Sequence, residues 1–174
     1  GMPTTYITPT AVDYEKRWVE AVDFYRPIIS ETKGNDVIIF ANGARMEWFG
    51  LHRFDAIRGN RYARAILDEA AHSPNLEEAW TKVVRPALSD FVGDAYFLST
   101  PAGGNYFKTL YDTDHPAWKS WQMPTTTNPF INVSEIMDAK NDPNMPNIVF
   151  RQEYLAEFID LQGALVKRED VVVG

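Results

Sequence analysis

The stretch Ala65-Ile66-Leu67-Asp68-Glu69 decides how the whole chain is interpreted. Its apolar residues predict a buried strand, which begins near residue 62 and ends where two carboxylates follow one another. A second strand of this kind, residues 94–98, ends at Ser99-Thr100-Pro101, and residues 77–84 between the two have a helical pattern. Strands that alternate with helices predict an α/β domain with a largely parallel sheet.

The regions on either side of these two strands fit the same fold class. Residues 5–8 predict a first strand, and Thr10 with Asp13 has the spacing of a helix cap, so a helix is expected up to Pro27. Residues 36–50 predict a β-hairpin that turns at Asn42-Gly43, where both positions tolerate positive φ. Further elements are expected downstream: helices at 106–111, 134–139 and 148–159 and a strand at 118–123.

Composition limits the classes of function. The 174 residues fit one domain, and the absence of cysteine excludes a disulfide framework, thiolate zinc sites and a cysteine nucleophile. With 17 basic against 24 acidic residues, the net charge of −7 argues against a general basic surface for nucleic acid. The longest apolar run, residues 37–41, is far shorter than the ~20 residues of a membrane span. No signal peptide is visible, so the cytoplasm is the expected compartment.

The polar residues that follow the two buried strands are the candidates for chemistry. Ligands of open α/β sheets bind at the carboxyl ends of the strands. There Asp68 could hold Mg²⁺, Glu69 could orient or deprotonate a water, and the hydroxyls of Ser99 and Thr100 could bind a phosphate. Each pattern alone also fits a plain strand end with solvated side chains, and Arg58 alone fits an ordinary surface arginine.

The order of the motifs is more specific than any one of them. The series runs through Thr5-Tyr6-Ile7-Thr8-Pro9-Thr10, Asn42-Gly43, Ile57-Arg58-Gly59, Ala65-Ile66-Leu67-Asp68-Glu69-Ala70-Ala71, Val84-Arg85-Pro86-Ala87-Leu88, Phe97-Leu98-Ser99-Thr100-Pro101-Ala102-Gly103 and Phe150-Arg151-Gln152-Glu153-Tyr154. This succession resembles the ATPase domain of the large terminase subunit, the DNA-packaging motor of tailed bacteriophages. The resemblance extends from about residue 5 to about residue 160.

The resemblance implies a fold and a role for each candidate residue. The fold would be a partial P-loop NTPase-like domain of the ASCE type, with a mostly parallel sheet flanked by helices and a β-hairpin insertion. Asp68 would be the Walker B aspartate that associates with Mg²⁺, and Glu69 the catalytic glutamate that acts on ATP. Ser99 and Thr100 would form the coupling motif, and Arg58 an arginine finger that acts on a neighbouring subunit's nucleotide.

One departure from the family pattern changes what the isolated chain is expected to do. The phosphate-binding motif G-x-x-x-x-G-K-[ST] does not occur in the sequence. Gly34 is followed by Asn35 and Asp36 and not by the Lys-Ser or Lys-Thr pair that the motif requires. We therefore expect a truncated ATPase domain at 3–160, and at 161–174 the start of a linker toward a missing nuclease domain. Such a chain should bind ATP weakly or not at all, and self-association through an exposed sheet edge is a further expectation.

For the full protein the resemblance implies double-stranded DNA, a portal protein, a small terminase subunit and sister subunits as partners, in a bacterial host cell. Two alternatives stay open: a catalytically inert interaction module or prophage remnant of this fold, and a helicase fragment. In helicases of the DEAH type the histidine would come one residue sooner than His72. An acid-pair hydrolase is disfavoured, because adjacent residues of a strand point to opposite faces.

Overall fold

The computed structural model describes residues 1–159. It divides the chain into two compact units, Gly1–Ser99 and a second that begins at Thr100. The predicted linker at 161–174 lies outside the described residues. In the part of the chain that is described, no helix combines the length and the apolar character that crossing a membrane requires.

The first unit is built on a six-stranded sheet. In chain order its strands are β1 (Pro3–Thr8), β2 (Ile29–Lys33), β3 (Val37–Phe40), β4 (Arg45–Gly50), β5 (Arg64–Leu67) and β6 (Asp94–Phe97). In space they follow the order β2-β3-β4-β1-β5-β6. The pairs β1–β4, β1–β5 and β5–β6 are parallel, whereas β2–β3 and β3–β4 are antiparallel. The prediction of a mostly parallel sheet is confirmed.

Helices flank this sheet and also form the second unit. The first unit contains α1 (Ala11–Tyr25), α2 (Leu76–Ala79), a π-helical segment (Trp80–Val84) and α3 (Arg85–Ala87). The second unit contains α4 (Tyr106–Tyr111), α5 (Val133–Asn141) and α6 (Asn147–Glu153). The helix predicted at 77–84 is therefore present, but it continues through a π-helical stretch as far as Ala87.

The two faces of the sheet carry different side chains. Thr5, Ile7, Ala65 and Leu67 lie on one face and are fully buried. On that face the ring of Trp80 meets Phe97 edge-on at 4.9 Å. On the opposite face α1 covers the sheet, with the ring of Trp18 edge-on against Trp48 at 5.1 Å.

A buried polar pair lies on the first face. The Tyr62 hydroxyl donates a hydrogen bond to Glu47 Oε2 at 2.5 Å, and Arg45 forms an ion pair with the same carboxylate. Tyr62 is 1% exposed and Glu47 9%. Burial, followed by the hydrogen bond to Glu47, raises the pKa of Tyr62 well above its usual range.

The hairpin is confirmed, but its turn differs from the predicted one. Gly43 N–H donates to the Phe40 carbonyl, and Phe40 N–H donates to the Ala44 carbonyl. Gly43 has a φ of +76°, and Asn42 does not share the positive φ. The loop is therefore the three-residue type, in which a left-handed glycine follows a type I turn.

One predicted strand is absent, and one strand of the sheet was not predicted. Residues 118–123 form no strand, and the side chains of Ser120 and Gln122 there bond the Tyr111 and Leu155 carbonyls. Strand β2 was not predicted, because its sequence is mostly polar and exposed. As an edge strand paired only with β3, it needs no apolar face. Helix α6 also ends at Glu153, short of the predicted residue 159.

Candidate functional site

The ends of strands β1, β5 and β6 meet at one edge of the sheet. Three backbone hydrogen bonds join them: Asp68 N–H to the Ile7 carbonyl, Leu98 N–H to the Leu67 carbonyl, and Ala70 N–H to the Leu98 carbonyl, all between 2.9 and 3.0 Å. The backbone on either side of Asp68 is thus fixed to both neighbouring strand ends. This is the edge at which ligands of open α/β sheets bind.

The carboxylate of Asp68 is held by two donors from different elements. Tyr6 of β1 donates its hydroxyl proton to Asp68 Oδ2 at 2.5 Å, and Arg17 of α1 donates from Nε to the same oxygen at 3.0 Å. The Asp68 side chain is only 14% exposed. Burial raises the pKa of Tyr6 well above its usual range, with the Asp68 carboxylate as the next cause, so the phenol keeps its proton and donates.

Glu69 follows in a strained backbone conformation. Its φ of +49° and ψ of +39° lie in the left-handed region, which residues other than glycine rarely occupy. Its Oε2 accepts a hydrogen bond from Ser99 Oγ at 3.3 Å and lies 3.7 Å from His72 Nε2. The side chain is 37% exposed. Such strain is concentrated at functional sites.

The two neighbouring carboxylates have entirely different surroundings. Asp68 contacts Tyr6 and Arg17, whereas Glu69 contacts Ser99 and His72. Both acids lie in the turn after β5, which ends at Leu67, so the strand alternation used against an acid-pair hydrolase does not apply to them. Asp68 is held by two donors and is 14% exposed, whereas Glu69 accepts from Ser99 and is 37% exposed.

The structure brings Asp68, Glu69 and Ser99 together but not Arg58. The Arg58 guanidinium donates to Asp55 Oδ1 at 2.6 Å and to the Lys82 carbonyl at 3.5 Å, and it is 54% exposed. It lines a separate cavity of about 360 Å³. Thr100 directly follows Ser99 and is the first residue of the second unit.

The residues at this edge fit a magnesium ion only if a ligand shares it. No group of three or more His, Asp or Glu side chains in residues 1–159 is placed to hold a metal. Mg²⁺, however, is commonly bound by one or two carboxylates together with substrate phosphates. Asp68 Oδ1 suits that role, because both hydrogen bonds to this carboxylate within the described residues go to Oδ2.

Sequence reasoning missed Tyr6, Arg17 and His72 as parts of this edge. Tyr6 lies 62 positions before Asp68 and Arg17 lies 51 positions before it. Nothing in the local pattern of β1 or α1 distinguishes these residues from others on the same face. The available signal is the polar hydroxyl of Tyr6 within a mostly buried strand, which requires an acceptor.

Comparison with known proteins shows the family of the chain. Residues 19–172 match the family model described as the N-terminal part of the terminase large subunit, T4likevirus-type. The terminase large subunit of Escherichia phage T5 is 33% identical over 132 residues, which cover 74% of this chain and 30% of that protein. That of Thermus phage G20c is 28% identical over 139 residues, covering 70% of this chain and 28% of that protein.

A solved structure has the same fold. The large terminase ATPase domain of Thermus phage P74-26 superposes with a TM-score of 0.71 at 23% identity, over 91% of this chain and 77% of that one. This chain spans less than a third of the length of the two curated relatives. The chain belongs to the family of terminase large subunits, and it has the fold of their ATPase domain.

Proposed function

We propose that this chain is the ATP-hydrolysing part of a motor that moves double-stranded DNA into a viral capsid. The observation that carries the proposal is the hydrogen bond between Ser99 and Glu69. It joins the ends of two adjacent parallel strands directly beside the fixed carboxylate of Asp68. Because Ser99 follows β6 and is hydrogen-bonded to Glu69, a change in the hydrogen bonds of Glu69 can be transmitted to β6.

Each residue has a distinct role in this proposal. Asp68, held by the fold, associates with Mg²⁺, which when bound would neutralise phosphate charge. Glu69, with its partly exposed carboxylate, orients the attacking water and takes its proton. Ser99 and Thr100 respond to the state of Glu69. Arg58, which faces a different cavity, acts on the nucleotide of a neighbouring subunit.

The isolated chain is proposed to be inactive, although the family is one of motor proteins. The 174 residues contain no G-x-x-x-x-G-K-[ST] motif, whose backbone amides and lysine provide much of the grip on phosphates. In the full protein the proposed partners are double-stranded DNA, the portal protein, the small terminase subunit and sister subunits, in the cytoplasm of a bacterial host cell.

The main test is Glu69→Gln in the complete large subunit. Glutamine keeps the size of the side chain but cannot accept the proton of water, so we expect hydrolysis to fall by at least ~10²-fold. Nucleotide binding should stay unchanged, because the proposal gives Glu69 no part in binding. Turnover is measured by phosphate release and binding by calorimetry with Mg²⁺.

Glu78→Gln is the matched control for this experiment. Glu78 lies in α2, is 51% exposed and pairs with Lys82, away from the strand ends. The same chemical change there should leave turnover at the level of the unmodified protein. Normal turnover in the Glu69 variant would refute the assignment of the base.

A second candidate function is an inert interaction module, which the missing phosphate motif favours. The motor and the interaction module are distinguished by calorimetry of ATP binding in the presence of Mg²⁺. The measurement compares this chain with a protein extended upstream to include a phosphate-binding motif. Binding by the extended protein alone supports the motor. Binding by neither protein would favour the interaction module.

A further inference from the structure

The hydrogen bonds of Asp68 are distributed unevenly between its two oxygens. Oδ2 accepts from both Tyr6 and Arg17, at 2.5 and 3.0 Å. No hydrogen bond within the described residues goes to Oδ1. Both protein donors thus hold the same oxygen, Oδ2, and Oδ1 receives no hydrogen bond from the described part of the chain.

Both donors are themselves fixed by their neighbours. The ring of Tyr6 lies 5.8 Å from that of Trp48, which Trp18 contacts edge-on at 5.1 Å. The Arg17 guanidinium also bonds Glu20 Oε2 at 3.0 Å, which limits its motion. The orientation of the Asp68 carboxylate is therefore set by the packing of α1 on β1 and β4.

We propose that Tyr6 and Arg17 are positioning residues that hold Asp68 Oδ2 so that Oδ1 faces the bound Mg²⁺. The inference rests on the proposed role of Asp68 at a magnesium site. Metal-ligating carboxylates usually need hydrogen-bond partners behind them, and loss of such a partner weakens metal binding 10- to 100-fold. Neither Tyr6 nor Arg17 contacts the metal in this arrangement, so their effect acts through Asp68.

The test measures metal binding separately from turnover. In the complete large subunit, ATP affinity is determined by calorimetry over a series of Mg²⁺ concentrations. We expect Tyr6→Phe to raise the Mg²⁺ concentration at the midpoint by about tenfold. Affinity for ATP at saturating Mg²⁺ should be unchanged, since Tyr6 has no proposed contact with nucleotide. Arg17→Gln should move the midpoint in the same direction, and Arg17→Lys should restore part of it by supplying one donor.

Tyr14→Phe is the matched control. Tyr14 is another phenol that donates to a carboxylate, Asp36 Oδ1, at 2.5 Å, and it lies on the same helix as Arg17. Removal of its hydroxyl should cost similar stability but leave the Mg²⁺ midpoint unchanged. Equal midpoints in the Tyr6 and Tyr14 variants would overturn the inference and leave Tyr6 with a structural role only.

The failure of this inference can be distinguished from failure of the proposed function. If ATP binding by the unmodified protein does not depend on Mg²⁺, or if Asp68→Asn leaves that dependence intact, the magnesium role of Asp68 fails and the inference fails with it. If Asp68→Asn removes the dependence while Tyr6→Phe leaves the midpoint in place, only the inference fails.

Discussion

At the scale of single residues, Glu69, the proposed base, lies in a strained backbone conformation. Its left-handed φ of +49° comes two residues after the end of β5, and its side chain accepts a hydrogen bond from Ser99. For a residue with a Cβ this conformation costs roughly 1 kcal/mol or more, whereas glycine adopts it freely. The fold therefore gives up some stability in order to aim this carboxylate.

A comparison of Glu69→Gly with Glu69→Ala tests this strain. Both variants lose the carboxylate, so we expect the glycine variant to be more stable by about 1 kcal/mol. Urea unfolding of the 174-residue chain measures the difference. Val92 is the control, because it also has a positive φ of +50°, yet it lies in a loop and is 94% exposed. At Val92 the glycine variant should likewise have the higher free energy of unfolding. If the alanine variant at residue 69 were the more stable one, the assignment of strain would be refuted.

At the scale of elements, the buried pair of Tyr62 and Glu47 joins β4 to the segment that leads into β5. Burial raises the pKa of Tyr62 above the value of about 10 that a tyrosine has in an unfolded chain. The folded state thus holds this proton more tightly than the unfolded state does. The resulting stabilisation is complete below pH ~10 and is lost as the pH rises toward the folded-state pKa.

We expect the free energy of unfolding to fall as the pH rises above about 10, by up to ~1.4 kcal/mol per pH unit for each such tyrosine. Tyr6 and Tyr14 contribute in the same direction, because burial raises their pKa values too. Tyr62→Phe should cost about 1–3 kcal/mol at neutral pH and make the alkaline slope shallower. Urea unfolding at a series of pH values checks both effects, and an unchanged slope would contradict the prediction.

Elements with a strong local pattern could be predicted from the sequence. The apolar run of residues 65–67 and the cap at Thr10 both depend on nearby residues, and the Thr10 side chain does accept from Asp13 N–H. Strand β2 and the irregular segment around Trp121 depend on pairing with distant residues. Tryptophan is a residue type that is common in strands, but Trp121 is 64% exposed and the sheet of the described residues has no strand beside it.

At the scale of the whole molecule, the sheet ends in an open edge at β6. Within the described residues β6 pairs only with β5. Tyr96 in this strand is 42% exposed, and Leu98 just beyond it is 48% exposed. Apolar edge strands tend to pair with other chains. The expected self-association of the chain would therefore begin at this edge.

Leu98→Lys tests where self-association begins. A lysine at a sheet edge opposes edge-to-edge pairing, so sedimentation velocity should show less association at high protein concentration. Met137→Lys in α5 is the control, since Met137 is also 48% exposed but lies outside the sheet. Equal association of the two variants would mean that the β6 edge is not the contact.

The candidate site could be predicted only in part, because it combines local and distant contacts. Asp68, Glu69 and Ser99 follow directly after recognisable strands, so parallel pairing is enough to bring them to one edge. Tyr6 and Arg17 reach Asp68 through the packing of α1 on the sheet, which no short pattern encodes. Arg58 precedes β5 and lies in a different cavity, which the order of the motifs did not indicate.

The opposite surroundings of Asp68 and Glu69 constrain how this protein can evolve. Exchanging the two codons would place the longer acid against Tyr6 and Arg17 and the shorter one beside Ser99. Neither side chain would then have the length that suits its hydrogen-bond partners, although the composition and the net charge of the chain would be unchanged. Each single-step intermediate between the two orders would carry two identical acids, one of them with the wrong length. The two positions are therefore not interchangeable, and each single substitution toward the reversed order should weaken one of the two sets of contacts.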